Sequence, residues 1–308
     1  MTVQLPGATR RDPIVAGVRF ALYRADPPGE PKHPPVLLLH GVPETAHMWR
    51  ELLPDLAQDR VVLAPDLKGL GDSEARGPYD MATLVRELAG LVRGDVTGPV
   101  DVVGHDWGGT LAAVLAARNP ELVRRFAILN APYRHVDYLR AWHMLLFSTP
   151  GLPKALFQLG GRRAVEQMLR AGWRSSGSLD PEVMAHYTAA YASPERIEAM
   201  LAYYRSATRP RLVRMFRKYA EPVLPVRGDP EQGESGPPAP RPPAQPALVV
   251  WGTRDPVLPL SVGEAVVRDL GARTEMVTVP EAGHFVVEEA PRVVLPAVRT
   301  FLDTSISE

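Results

Sequence analysis

The sequence predicts an α/β protein: a mostly parallel, doubly wound sheet with helices on both faces and an inserted helical cap. Three observations carry that expectation. Short runs that are apolar on consecutive positions, such as VLLLHG and ALVVWG, recur along the chain, and each ends in a turn. Helical patterns separate them. Between Pro132 and about Pro222 the alternation gives way to segments that read only as helix. A strand that is apolar on every position is buried on both faces, and such strands belong to parallel sheets with helices above and below.

The elements follow in order. VRFALY (Val18 to Tyr23) and VLLLHG (Val36 to Gly41) are expected strands, and Ala46 to Gln58 an expected helical stretch. VVLAPDL, a helix from Met81 to Arg93, PVDVVGHD, a helix from Thr110 to Arg118 and RFAILNAP complete the first half of the sheet. The rhythm resumes at ALVVWG (Ala247 to Gly252), a helix from about Ser261 to Leu270, EMVTVP, and a last helix from about Pro291 to Leu302. Residues 1–131 and 223–308 are therefore the expected core, and residues 132–222, rich in Tyr, Trp, Met, Leu and Arg, the expected cap. From about 225 to 246 the proline density suits neither a helix nor an interior strand, so this stretch is expected to be an exposed connector without chemistry of its own.

Composition sets outer bounds. The chain has 308 residues, 45% of them hydrophobic, enough for a large core and an inserted subdomain. Lys and Arg number 35 and Asp and Glu 35, so there is no surplus of positive charge to hold a phosphate backbone or an anionic membrane surface. No nucleic acid and no membrane partner is expected. The absence of cysteine excludes disulfides, thiolate metal sites and cysteine nucleophiles. The N-terminal MTVQLPGATRRDPIV has no apolar region followed by a small-residue cleavage site, and no later run has the length to span a bilayer; a cytoplasmic location is the expectation.

The chemistry is concentrated in GHDWGG, Gly104 to Gly109. In a Gly-x-nucleophile-x-Gly motif, a short strand turns sharply into a helix and pushes the middle side chain into a cleft. Here that side chain is a carboxylate, Asp106. An aspartate nucleophile leaves a covalent ester that must be broken again, so a base has to be at hand. EAGHFVVEEAP supplies His284 in a loop after EMVTVP, where an imidazole can deprotonate water. WGTRDP supplies Asp255 just after ALVVWG, where a carboxylate can orient that imidazole. In LLLHGVPE the chain leaves a strand through His40-Gly41, so the N–H of Val42 can face the same cleft as the N–H of Trp107, and the two would form an oxyanion hole. An aspartate attacking an acyl group would give an anhydride, which makes an sp³ carbon the sensible electrophile. No set of metal ligands stands out, and no metal or organic cofactor is expected. His105, Asp66, Asp72, Glu288 and Glu289 read as scaffold residues, while His33, His47, His135 and His186 carry no motif.

Together HGVPE, PDLKGLGDS, GHDWGG, LNAPY, WGTRDP and AGHFVVEEAP make the chain resemble the epoxide hydrolase branch of the α/β-hydrolase superfamily, over nearly its whole length apart from the proline-rich connector. The order nucleophile, acid, histidine is that superfamily's order. The resemblance implies the α/β-hydrolase fold with a cap, a small-molecule epoxide as substrate, and hydrolysis in two steps. Asp106 forms an alkyl ester by opening the ring, and water activated by the His284–Asp255 pair then releases a vicinal diol. It also implies proton donors from the cap, usually two tyrosines. Tyr204 in MLAYYRSATR stands where one is expected, with Tyr203 as the adjacent register. For the other, the family has tyrosine directly after a tryptophan; this chain has His143 after Trp142. His143 is therefore expected to replace that tyrosine. Trp107, Trp142 and Tyr203 are the expected substrate contacts. Apolar cap residues such as Trp142, Phe147, Phe157 and Met168 suggest an apolar pocket, although helical caps also bury such residues to stay folded. A homodimer is left open.

The alternative is a dehalogenase acting on haloacetate or a haloalkane, because those enzymes share the aspartate elbow. Haloacetate dehalogenases also carry a histidine beside a tryptophan in this part of the cap. They follow the nucleophile with an arginine for the substrate carboxylate, however, where this chain has Trp107, and Thr110 stands in place of a second arginine. Haloalkane dehalogenases usually have an asparagine where this chain has Val42, although the Trp107 indole would suit a halide as well. A receptor on the same fold would have no use for nucleophile, base, acid and oxyanion donors at once.

Overall fold

The computed structural model describes residues 5–134, 142–177, 179–215 and 242–305. The proline-rich connector up to residue 241 lies outside the described residues, as do residues 135–141 and 216–222 of the expected cap. Eight strands form one sheet in the order β1 (Thr9–Arg11), β4 (Leu22–Ala25), β6 (Val62–Pro65), β5 (Val36–Leu39), β7 (Val100–His105), β8 (Val123–Leu129), β9 (Ala247–Gly252) and β10 (Thr274–Val279). The six strands from β6 to β10 run parallel, and β1 and β4 add an antiparallel edge. Strands β5 to β9 are buried at every position, as their largely apolar runs require, except for a half-buried Arg124 in β8; β7 and β8 also bury the charged Asp101 and Arg125.

Helices α3 (Trp107–Arg118), α9 (Leu260–Leu270) and, after the short α10 (Val286–Glu289), α11 (Pro291–Asp303) pack on the sheet, and α2 (Met81–Asp95) packs on α3. Helix α2 starts where the Asp80 carboxylate accepts from the Thr83 N–H, a cap worth about 1 kcal/mol. It buries Leu84, Val85, Leu88, Leu91 and Val92. Helix α3 is buried through its first ten residues and is correspondingly apolar all round. Between β8 and β9 come α4 (Trp142–Ser148), α5 (Leu152–Gly160), α6 (Arg162–Gly172), α7 (Pro181–Ala190) and α8 (Pro194–Met215). Helix α8 packs on α4 and α5, and α6 on α5 and α7.

Two expected elements come out differently. VRFALY is divided: Ala16 and Gly17, at φ of 51° and 79°, turn β3 (Val18–Arg19) back onto β2 (Ile14–Val15) as a small ribbon, and only Leu22 and Tyr23 join the main sheet, at the start of β4. The stretch Ala46 to Gln58 is a 3₁₀ turn, Ala46–Trp49, followed by a short α1, Leu52–Leu56. Pro54 accounts for the break, since it has no N–H and its ring collides with a carbonyl four residues back in a continuous helix.

Candidate active site

In a parallel sheet, ligands bind beyond the carboxyl ends of the strands, and four strand ends meet here. Strand β5 leads into His40–Gly41–Val42, β7 into Asp106, β9 toward Asp255, and β10 toward His284. Asp106 stands between β7 and α3 at φ 49°, ψ −120°, a conformation that costs a side-chain-bearing residue about 1–3 kcal/mol and holds its carboxylate out of the turn. The elbow is tight: a Cβ on Gly104 would lie 2.2 Å from the Gly108 carbonyl oxygen.

The two carboxylate oxygens of Asp106 have different partners. Oδ1 accepts from the Val42 N–H at 2.9 Å, and Oδ2 lies 3.5 Å from Nε2 of His284. On its other side, Nδ1 of His284 is 2.8 Å from Oδ2 of Asp255. Asp255 is itself held by three further donors: Asn130 Nδ2 donates to Oδ2 at 2.6 Å, and the N–H groups of Val257 and Leu258 donate to Oδ1. Asn130, at φ 41°, also accepts from the Gly252 N–H and so ties Asp255 to the end of β9. Burial works against a charged His284, but Asp255 and Asp106 overcome it and hold the imidazole well above its ordinary pKa. Burial pushes the Asp106 carboxyl up, and the His284 hydrogen bond and charge, the charge of His105 and the Val42 N–H bring it below the usual carboxylate range.

Behind this pair stands a second, fully buried one. His105 Nδ1 is 2.6 Å from Oε2 of Glu44, and its Nε2 is 2.9 Å from the carbonyl oxygen of His284. Both ring nitrogens face acceptors, so both carry protons and the ring is an imidazolium. Burial opposes that charge and Glu44 more than compensates, leaving the His105 pKa raised. Glu289 fastens the same loop by accepting from the N–H groups of Gly283 and Phe285 and, across to the segment after α6, from Arg174 and Ser175. His40, fully buried and held neutral by burial, accepts the Leu67 N–H at Nε2. Asp66 accepts from Ala46 and Asp72 N–H groups, as a scaffold residue.

A cavity of about 450 Å³ opens over Asp106 and His284, with His143, Tyr204 and Trp142 among its lining residues. His143 and Tyr204 stand ring to ring, 6.2 Å between centroids and nearly perpendicular. Burial, and then the charge of His284, lowers the His143 pKa to about 4. Burial, and then the Asp106 charge, drives the Tyr204 phenol well above its ordinary value, while the Trp107 indole acts the other way by hydrogen bonding. The Trp107 ring packs edge-on against Tyr204, and Trp142 is 61% exposed at the cavity's rim. Tyr203 is a correction. Expected as a substrate contact, it is fully buried and donates its hydroxyl to the Lys68 carbonyl oxygen at 2.8 Å, away from the cavity. Successive helix residues project roughly 100° apart, so α8 can offer the cavity only one of the two tyrosines. Among the described residues no group of three or more His, Asp or Glu stands where it could hold a metal ion, and no helix is long and apolar enough to cross a membrane.

Residues 34–291 match the family model described as the alpha/beta hydrolase fold. The chain belongs to that family. This hydrolase is 27% identical to epoxide hydrolase 3 of Xenopus tropicalis over 304 residues, covering 93% of this chain and 75% of the relative. It is 32% identical to a haloalkane dehalogenase of Bradyrhizobium diazoefficiens over 216 residues, 64% of this chain and 66% of the relative. Among solved structures, it is similar to the epoxide hydrolase CorEH without ligand, at 25% identity and a TM-score of 0.73, covering 96% of this hydrolase and 98% of that chain. The hydrolase is therefore an enzyme of this family, related both to epoxide hydrolases and to a dehalogenase. HGVPE and LNAPY carry Glu44 and Asn130, to which the sequence pattern assigns no task, and His105 reads there as scaffold; in the fold these three hold His284 and Asp255 in place.

Proposed function

We propose that this hydrolase opens epoxides to vicinal diols through a covalent alkyl ester on Asp106, with helices α4–α8 acting as a cap that supplies the proton donors. The observation that carries the reading is the pairing of a strained, anionic Asp106 with two neutral donors, His143 and Tyr204, around one largely apolar cavity. A carboxylate aimed at a carbon, facing donors aimed at a departing oxygen, is what ring opening needs.

The two oxygens of Asp106 suggest separate tasks. Oδ2, turned to the His284 side, attacks a ring carbon as the C–O bond breaks, and the alkoxide takes its proton through Tyr204 and His143. Oδ1, already bonded to the Val42 N–H, becomes the ester carbonyl. Ring opening removes the Asp106 charge that helps keep His284 protonated, so one proton leaves the imidazolium as the alkoxide gains one. Neutral His284 then draws a proton from water, hydroxide adds to Cγ of the ester, and the Val42 and Trp107 N–H groups hold the oxyanion. Collapse expels the diol and restores the Asp106 carboxylate and the His284 imidazolium. Atoms and charge balance as epoxide plus water.

The test is intact-mass spectrometry. With a turned-over epoxide, His284→Ala is expected to gain the mass of the substrate on Asp106, and Asp106→Asn to gain nothing. Unmodified His284→Ala after rapid quench would exclude the covalent route. The similarity to a haloalkane dehalogenase supports a second reading, the same displacement on a carbon–halogen bond. Halide release from haloalkanes or haloacetate outpacing diol formation would favour it.

A further inference from the structure

Two cavities of very different size meet at Asp106. The larger, about 450 Å³, is walled beyond the reacting groups by apolar side chains that include Phe147, Leu156, Phe157, Met168 and Phe285. The smaller, about 30 Å³, is walled by Trp107, Thr110, Pro132, Met144, Ala207 and Leu258. Asp106, His143, Tyr204 and Val257 border both, which puts the nucleophile and both proton donors at the junction. His284 borders only the larger lobe, so the water of the second step is activated on that side and the small lobe is left for substrate.

The sizes are decisive. A cavity of about 10–15 Å³ already holds one water molecule; the small lobe therefore accepts hydrogen or a methyl group and not a ring. The large lobe falls within the roughly 300–1,000 Å³ of small-molecule sites and takes an aryl or medium-length alkyl group. In the small lobe the Thr110 hydroxyl is already donated to the Pro132 carbonyl oxygen, and apart from the reacting groups neither lobe presents a charged side chain among its described lining residues. A charged substituent would lose its water without gaining a partner.

Resting on the epoxide reading above, we infer that the substrates are epoxides bearing one uncharged apolar substituent, with nothing larger than methyl on the second ring carbon. The reacting centre is held at the junction by Asp106 and the two donors, the large group lies in the apolar lobe, and a second bulky group has nowhere to go.

The experiment compares kcat/KM for styrene oxide, trans-β-methylstyrene oxide and trans-stilbene oxide, which pair phenyl with hydrogen, methyl and phenyl. The first two are expected within about tenfold of each other and the third at least about a hundredfold lower. Met144→Ala, which enlarges the small lobe, is expected to raise the stilbene-to-styrene oxide ratio at least about tenfold. Ala207→Val, which fills it, is expected to lower the methylstyrene-to-styrene oxide ratio. Comparable turnover of all three by the unaltered enzyme, or ratios that ignore both variants, overturns the lobe assignment alone. Folded protein that turns over none of the three, nor any linear terminal epoxide, overturns the epoxide reading itself.

Discussion

The ring of His105 holds the backbone of His284, the proposed base: its Nε2 donates to the carbonyl oxygen of His284, 2.9 Å away, while Nδ1 donates to Glu44 at 2.6 Å. Both ends of this contact are buried, His105 and Glu44 completely. The position of His284 thus depends on a charge pair that never touches the cavity.

Removing one member of a buried pair leaves the other charge without compensation, at a cost of about 3–5 kcal/mol. Glu44→Gln is expected to lose stability on that scale at pH 6. The sign of the pH dependence follows from the raised His105 pKa. Its stabilisation is complete below the unfolded value, about 6.5, and fades as pH rises through the folded value. Urea unfolding of both proteins from pH 6 to 9 should therefore show the difference shrinking upward. A gap that stays constant over that range would mean His105 carries no extra proton in the fold.

Gly41 and Gly104 separate activity from folding. A Cβ on Gly41 would lie 2.5 Å from the Cβ of Asp106 and 2.8 Å from its Oδ1, whereas one on Gly104 would meet the Gly108 backbone. Gly41→Ala is expected to fold and to lose about a hundredfold or more in ester formation, because the nucleophile is displaced. Gly104→Ala is expected to lose about 1–3 kcal/mol of stability through overpacking. Thermal melts and single-turnover rates on the two variants distinguish these effects; ester formation at the unaltered rate in Gly41→Ala would refute the first.

The strand ends carrying Asp106, Asp255 and His284 were legible because each follows a β-branched or apolar run, continuous only in ALVVWG, and closes on a turn, so local pattern and position agreed. Glu44 and Asn130 were in plain view within HGVPE and LNAPY. Their tasks were not, since Glu44 meets His105 61 residues away and Asn130 meets Asp255 125 residues away. Only the assembled sheet makes those pairs. The choice between Tyr203 and Tyr204 was hidden for a different reason: Ile197, Met200, Leu201 and Tyr204 share one stripe of α8, but Ala199 and Tyr203 beside it are buried as well, so apolar character alone does not say which tyrosine meets the cavity. The break ahead of Pro54, by contrast, could have been read directly from the proline.

The two steps of the proposed reaction should have different acid limbs. In the free enzyme His284 is held protonated by Asp255 and Asp106 against burial, and Asp106 stays anionic to below the usual carboxylate range. On the acid side the donors and His284 keep their protons, so the Asp106 anion is the only form that ester formation can lose, and the step should persist as pH falls until Asp106 itself is protonated. Ester hydrolysis needs neutral His284 and should fall as pH drops through the His284 value in the ester. That value lies below the free-enzyme one, because the Asp106 charge is gone. Stopped-flow and quenched-flow measurements across pH give both limbs, and a single limb common to the two steps would contradict the assignment.

The last prediction concerns the donors. His143, lowered to about 4, and Tyr204, raised well above the usual phenol value, are both neutral across the ordinary working range, and each keeps a proton to donate. An alkoxide develops charge as the ring opens, so donors facing it stabilise the transition state more than the bound epoxide. Removing one such donor typically costs about 10²–10³ in rate. His143→Phe and Tyr204→Phe are each expected to slow ester formation on that scale and to leave hydrolysis of preformed ester nearly unchanged. The ring in His143→Phe keeps its packing against Phe147 and Tyr204, so a slow first step reports the lost N–H rather than a collapsed cavity. His143→Tyr restores a donor and should retain more activity than His143→Phe, whereas a purely packing role would favour the phenylalanine. Unchanged ester formation in His143→Phe, measured in a single turnover, would remove His143 from the reaction and leave Tyr204 with the Trp107 indole as the oxygen's partners.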